Sequence, residues 1–424
     1  MRTRGALESA FIALVAHGII AGHKNIGLIG LAQEKNRADA TNQEIITELG
    51  RFATFRELRR SDAYRKYEAQ LRRLLHEPVI YEAPEARPRL RSFLRVVEWN
   101  IERGARLKGI IEALNTHPAL RFADLLLLNE LDDGMVRSGN RNVACELSRA
   151  LAAHAIYGAE YLEFTKGVGA ELKLPGNNTA ALHGDAILTR HPFSRPQIVR
   201  LPRCENNFES AEKRLGGRIG IMVDVEVAGT QILAATTHLD VVNTPRCRAR
   251  QMRAFLQAIE RRGSRQVIVG GDLNTHTFAR GGRLRTVRNV VKIFGTPPDK
   301  LARALLYPET REPAIAELVR CGYEVEACND RTPTARALVS TLEDAARLPG
   351  PLQQWAMRRI GPGGLVLELR LDWLAAKGLR PLRAGEATDA DTGEKSIDPQ
   401  TFPGLAHNGA PLSDHDPIVV DLAL

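Results

Sequence analysis

Two regimes of hydrophobic patterning divide the chain near residue 90. Before it the apolar residues recur at helical spacing. Ile45, Ile46, Leu49 and Phe52 follow Thr41-Asn42-Gln43-Glu44, which fits a capping box. Tyr64, Tyr67, Leu71, Leu74 and Leu75 form a second such set, with Arg and Lys on the other faces. A charged helix face is ordinarily a solvated one, with phosphate contact as the alternative. Residues 1–85 therefore read as helical, and Pro84 and Pro88 mark a linker. The apolar run Ala10–Gly22 is shorter than the roughly 20 residues that span a bilayer, so no transmembrane segment is expected. It reads as a buried helix. Arg2 and Arg4 precede it as in an export signal, but Glu8 intervenes and no clear cleavage site follows.

From Phe93 onward short apolar runs alternate with helices. Leu94–Trp99, Asp124–Asn129, Asp185–Thr189, Ile219–Val227, Gln231–Thr237, Gln266–Val269, Leu365–Leu374 and Pro417–Leu422 read as strands. Ala228-Gly229-Thr230 between two of them is a hairpin signal. Arg106–Leu114, Asn142–Ala155 and Arg246–Arg261 read as helices, and 277–312 and 336–362 as added helical material. The mixture predicts an α/β sandwich with parallel and antiparallel strands rather than a pure Rossmann alternation.

Composition narrows this picture only modestly. The 424 residues, 44% hydrophobic and 26% charged, suit a soluble globular chain and exclude wholesale disorder. The net charge of +9 favours an anionic partner, either nucleic acid or a phosphate ester. The five cysteines are widely spaced without a CxxC pair, so they read as reduced thiols of a cytoplasmic protein, not as a disulfide framework or zinc site.

The informative feature is where the polar residues fall. Glu98-Trp99-Asn100, Asn129-Glu130, Thr237-His238, Gly271-Asp272-Leu273-Asn274, Leu371-Asp372-Trp373 and Ser413-Asp414-His415-Asp416 sit at strand ends or in the loops beside them. Strand ends are where α/β folds converge loops on one crevice. A lone Asp there is usually a turn residue, but six such clusters exceed what turns account for.

In their order these motifs, together with His183-Gly184-Asp185-Ala186-Ile187-Leu188-Thr189-Arg190 and Arg246…Gln251, resemble the endonuclease/exonuclease/phosphatase superfamily of DNase I-like metal-dependent phosphoesterases. The resemblance covers 93–424 and leaves 1–90 outside as a helical N-terminal extension. It implies a four-layer α/β sandwich, two mixed sheets flanked by helices. Asn129 and Asp185 depart from the family's commoner residues, a difference that bears on substrate preference rather than chemistry.

Phosphoester hydrolysis needs a hard cation to neutralise charge developing on phosphoryl oxygens, and magnesium takes oxygen ligands. The resemblance assigns the metal to Glu130 and Asn100 with Asp414 contributing, the ion being magnesium with manganese as the alternative. It assigns activation of water to Asp272, phosphate or water contact to Asn274, and leaving-group assistance to His238. His415 is suited to hydrogen-bond a phosphoryl oxygen or to act as acid or base, oriented by Asp372. The i, i+2 spacing of Asp272 and Asn274 in an extended segment would put them on one face. Arg218, Arg246 and Gln251, the other family-like positions, read as buried scaffold residues beneath the site with direct phosphate contact as the alternative, and His183 and His276 as structural with a role in the site as the alternative. The leading expectation is a monomeric Mg²⁺-dependent endonuclease or exonuclease. A lipid or inositol phosphate phosphoesterase and a non-catalytic binding module are the alternatives.

Overall fold

Leu125–Leu128 is apolar at four successive positions because both faces of its strand are covered. Leu125 and Leu127 point into one core, Leu126 and Leu128 into another, as the two-residue period of a strand requires. The computed structural model describes residues 42–204, 206–279, 283–338, 366–424 and five positions between 350 and 358.

The helices are α1 (42–50), α2 (Phe55–Arg60), α3 (Asp62–His76), α4 (Leu107–Thr116), α5 (Val143–Leu151), α6 (Pro245–Arg262), α7 (Arg283–Gly295), α8 (Pro298–Leu306) and α9 (Pro313–Arg320). The first strands are β1 (Val79–Tyr81), β2 (Phe93–Arg103), β3 (Leu125–Asp133), β4 (His154–Glu163), β5 (Leu182–Thr189), β6 (Phe193–Arg200), β7 (Arg214–Gly216), β8 (Ile219–Val227) and β9 (Thr230–Thr237). Then come β10 (Val267–Asp272), β11 (Ala335–Leu338), β12 (Val366–Leu369), β13 (Asp372–Lys377), β14 (Gln400–Thr401), β15 (Ala406–His407), β16 (Ala410–Pro411) and β17 (Ile418–Ala423).

Two large mixed sheets result. One runs β1-β4-β5-β3-β2-β17-β14 with β7 paired to β4, and the other runs β13-β10-β9-β8-β6. The β2–β3 and β9–β10 pairs are parallel; the other pairs within these two sheets are antiparallel. Leu94, Val96, Leu127 and Ile187 meet Ile221, Val223, Ile268 and Leu374 between the sheets. Outside the first sheet, Trp99, Leu126 and Leu128 pack with residues of α4 and α5 and with Ile45, Leu49, Tyr67, Leu71 and Leu75 of α1 and α3. Outside the second, Met222 and Leu233 pack with Phe255 of α6 and Leu318 of α9. These are the four layers of a DNase I-like sandwich.

Several expectations need correction. The helix expected over 142–155 ends at Leu151, where Ala152 turns left-handed (φ 48°) and Ala153 N–H bonds back to the Ser148 carbonyl; β4 then begins. The single strand expected over 365–374 is two, β12 and β13, because at Arg370 the backbone N–H leaves for the Leu305 carbonyl. Residues 335–338, expected to be helical in part, form β11 against β12, and most of 339–365 lies outside the described residues. Residues 79–81 are a strand paired with β4, not helix. Thr41 and the apolar run 10–22 also lie outside the described residues. The five reduced thiols are three, since Cys204 and Cys247 form a disulfide with Cα atoms 6.3 Å apart. Their 43-residue separation conceals that the loop after β6 folds back onto the start of α6.

Candidate active site

The site forms where β2, β3, β9, β10 and β13 end and the 413–416 loop crosses them. Asp272 closes β10 and lies opposite Asp372, the first residue of antiparallel β13. Gly271 makes that approach feasible: its φ is +147°, and a Cβ there would lie 1.9 Å from the Thr237 carbonyl oxygen. Asp272 N–H donates to Asn129 Oδ1 (2.8 Å).

One carboxylate oxygen is the centre of the arrangement. Asp272 Oδ2 is 3.4 Å from His238 Nε2, 3.9 Å from His415 Nε2 and 3.2 Å from Asn100 Nδ2. Burial, followed by the neighbouring Asp372, pushes the Asp272 carboxyl up to about 7. His415 Nδ1 meets both Asp372 oxygens at 2.8 and 3.0 Å. Burial opposes its charge, but Asp372, Asp414 and Asp272 outweigh this and hold its imidazole well above the usual range. Trp99 Nε1 donates to the His415 carbonyl (2.9 Å), and Ser413 Oγ donates to the Asn100 carbonyl (2.7 Å), pinning the loop to β2.

Glu130 lies within a bulge between β3 and β5, where the register shifts between Leu128 and Leu131, and adopts a left-handed φ of 57°. Such a conformation is costly for a non-glycine residue and persists where the surroundings enforce it. Here its N–H donates to Asp185 Oδ1 (3.3 Å). Asn100 Nδ2 reaches Glu130 Oε1 at 3.3 Å. Burial raises the Glu130 carboxyl, yet His183, Arg103 and His415 outweigh it and keep the group below its ordinary value, ionised. Asp414 stands exposed at the rim.

Asn274 is not extended. It is left-handed (φ 51°), and its N–H caps Asp272 Oδ1 (2.8 Å) while Nδ2 donates to the Leu239 carbonyl (3.0 Å). The same-face argument from i, i+2 spacing therefore fails, because the strand ends at Asp272 in an Asx-type turn. Asn129 and Asp185, the two departures from the family's commoner residues, are buried and hold the backbone N–H groups of Asp272 and Glu130. Arg218 is buried against Glu160 (2.7 Å) and Asp240 (3.5 Å). Gln251 accepts from Asp240 N–H (3.1 Å) and donates to Asp240 Oδ2 (2.9 Å). Both match the scaffold reading. Arg246 does not, for it is exposed on the first turn of α6. His183 is held by Asp132 (2.8 Å) and His276 by the Val241 carbonyl (2.9 Å).

Two buried groups were given no role in the sequence reading. Glu160 of β4 lies with Asp185 and His238, their donor atoms all within 4.8 Å. Burial, then Arg218, hold the His238 imidazole well below its usual value. Glu98 sits beneath the dyad with no described hydrogen-bond partner for either oxygen, and burial, then Asp372 and Asp272, raise its carboxyl well above the usual range. Glu160 lay hidden because the start of β4 reads as the tail of a helix. Glu98 had a signal, its place in the strand-end run Glu98-Trp99-Asn100, two residues before Asn100.

Among the described residues three clusters of donor atoms could hold an ion: Glu160–Asp185–His238, Cys204–Asp240–Cys247 and Asp272–Asp372–His415. The Glu160–Asp185–His238 cluster already carries the Arg218 cation, and the Cys204–Asp240–Cys247 cluster is closed by the disulfide. Glu130 lies outside these clusters; its half-buried, ionised carboxylate is the kind of hard oxygen donor a divalent ion takes, while Asn100 turns Nδ2 toward it and uses Oδ1 to accept from the Glu102 N–H (3.1 Å).

The profile of the Endonuclease/Exonuclease/phosphatase family matches residues 97–386. No curated protein matches the chain in sequence. Among solved structures, an endonuclease/exonuclease/phosphatase from Beutenbergia cavernae DSM 12333 is 17% identical, with a TM-score of 0.42 over 79% of this chain and 72% of that one. TDP2 of D. rerio complexed with single strand DNA product is 18% identical, with a TM-score of 0.40 over 78% and 100%. The human Nocturnin catalytic domain with bound sulfate anion is 15% identical, with a TM-score of 0.40 over 82% and 97%.

Proposed function

The chain belongs to the Endonuclease/Exonuclease/phosphatase family, and from that premise we propose that it is a magnesium-dependent phosphodiesterase that cleaves a nucleic-acid backbone. The observation that carries the reading is the placement of one Asp272 oxygen between two imidazoles, at 3.4 and 3.9 Å. Glu130 and Asn100, with Asp414 at the rim, would hold the cation, manganese being the alternative to magnesium. When bound it supplies positive charge to the phosphoryl oxygens.

The side chains do the rest. Asp272 accepts the proton of the attacking water, and the Asn129 contact to its backbone fixes where that proton is taken. His415, charged and braced by Asp372, donates through Nε2 toward a phosphoryl oxygen. His238, held neutral on the other side of Asp272, stands beside the departing oxygen. The net charge of +9 favours a polyanionic substrate.

Nicking of supercoiled plasmid with Mg²⁺ tests the reading, alongside a panel of RNA, phospholipid and inositol phosphate substrates. Asp272→Asn is expected to lower turnover about 10²–10⁴-fold, the usual range for removing a general base. Glu130→Ala is expected to abolish Mg²⁺ dependence together with activity. Equal cleavage by either variant or in EDTA would overturn the site, and turnover confined to lipid or inositol phosphate would overturn the substrate.

A further inference from the structure

A cavity of about 560 Å³ lies between α2–α3 and the β6–β7 side of the sandwich, within the size range of ligand pockets. Its walls carry Arg59 and Arg72 from the helices and Arg200 and Arg203 from the sheet side, with Phe55 and Tyr64 between them. Glu68 is the only carboxylate among the described residues of its walls. No described carboxylate forms an ion pair with Arg59, Arg72 or Arg203, which are exposed along the walls, or with the half-buried Arg200, so their positive charge faces the pocket uncompensated.

The guanidinium groups are nonetheless held. Arg203 lies 4.7 Å from the Phe55 ring centroid, and Arg59 is 5.9 Å from Phe55 and 5.2 Å from Tyr64. Arg200 donates to the carbonyls of Ala159, Glu160 and Gly217. His76 feels the resulting field: burial, then Arg200 and Arg72, lower its imidazole. Stacked, unpaired guanidinium groups beside aromatic rings are the recurrent equipment for a phosphate and its base.

The pocket also abuts the catalytic cluster. Arg218 lines it and touches Glu160, whose carboxylate lies within 4.8 Å of the His238 ring nitrogen. Phe55, Arg59, Tyr64 and Arg72 all lie outside residues 97–386.

We propose that this pocket is a nucleotide-binding subsite, in which Arg59, Arg72 and Arg203 take a backbone phosphate and Tyr64 stacks its base. The proposal rests on the nuclease reading, since it takes the substrate to be a polynucleotide with one unit seated away from the scissile bond. It gives α2 and α3 a job in substrate capture.

Fluorescence anisotropy of the full chain with a labelled single-stranded oligodeoxynucleotide in EDTA reads binding without cleavage. Arg59→Ala/Arg72→Ala is expected to weaken binding about tenfold and to reduce the salt slope by about 0.7 for each phosphate that is no longer neutralised. Tyr64→Ala should weaken the intact oligonucleotide while leaving an abasic one of equal length unchanged. Hydrolysis of bis(p-nitrophenyl) phosphate, too small to reach the pocket, should stay at wild-type level in both variants, which also reports that they fold. Unchanged affinity and salt slope in the double variant would overturn the subsite. So would a loss seen only with phosphatidylserine vesicles, which would make the pocket a lipid-headgroup site. If the wild type hydrolyses neither plasmid, RNA nor the small diester while the oligonucleotide binding pattern holds, the phosphodiesterase reading fails and the subsite stands.

Discussion

His191, just past β5, is buried, with Nε2 4.0 Å from Asp124 and no described hydrogen-bond partner for that atom. Burial drives its imidazole down to about 4. An unfolded chain would bind a proton at this residue near 6.5, so between about 6.5 and 4 the unfolded state holds more protons than the native one. The sign follows: the neutral His191 is fully accommodated above about 6.5, and its contribution is lost as pH falls toward 4. Unfolding free energies from urea titrations across that window should fall more steeply for the wild type than for His191→Gln, the difference amounting to about 3 kcal/mol. Parallel curves would show that the residue does not titrate in this way. The residues legible in sequence were those whose polarity interrupts an apolar run at a strand end, such as Glu130, Asp272 and Asp372. Their backbone conformations were not legible, because the left-handed φ of Glu130 and Asn274 comes from contacts to Asp185 and Leu239, distant in sequence.

Elements were readable where a strand's boundaries carry their own punctuation. The β8–β9 hairpin emerged because Ala228 and Gly229 both turn left-handed between two buried runs. β4 was lost because α5 passes into it across two residues and its buried Tyr and Glu positions blur the alternation. β6 carries Pro196 inside it, which fits its place at the edge of the second sheet. Helix α3 shows the limit of pattern alone. Its period was plain, but not that Tyr67, Leu71 and Leu75 share a core with Leu126 and Leu128. Leu71→Ala is accordingly expected to cost about 2–5 kcal/mol, the range for a buried leucine cavity, measured by chemical denaturation. A change under about 1 kcal/mol would mean that α3 does not cover that face.

At the scale of the molecule, the disulfide ties the loop after β6 to the N-terminal turn of α6, beside the segment that follows His238. Closing a loop of 43 residues restricts the unfolded chain by about 2–4 kcal/mol. Dithiothreitol should lower the unfolding free energy of the wild type by that amount, read as a lower denaturation midpoint, and leave Cys204→Ser/Cys247→Ser unmoved. Equal midpoints with and without reductant would show that the bond contributes nothing. The bond also removes the basis for a cytoplasmic reading, which rested on reduced thiols. Among the described residues no helix is long and apolar enough to cross a membrane. The last strand has a further meaning. β17 is inserted between β2 and the two-residue β14, and the loop that brings His415 to Asp272 immediately precedes it. A polypeptide leaving the ribosome thus displays Glu130 and Asp272 long before it owns the imidazole and the strand that complete them. A nascent chain that has not yet reached residue 415 lacks the imidazole, and one short of residue 423 lacks the full strand that holds its loop against β2.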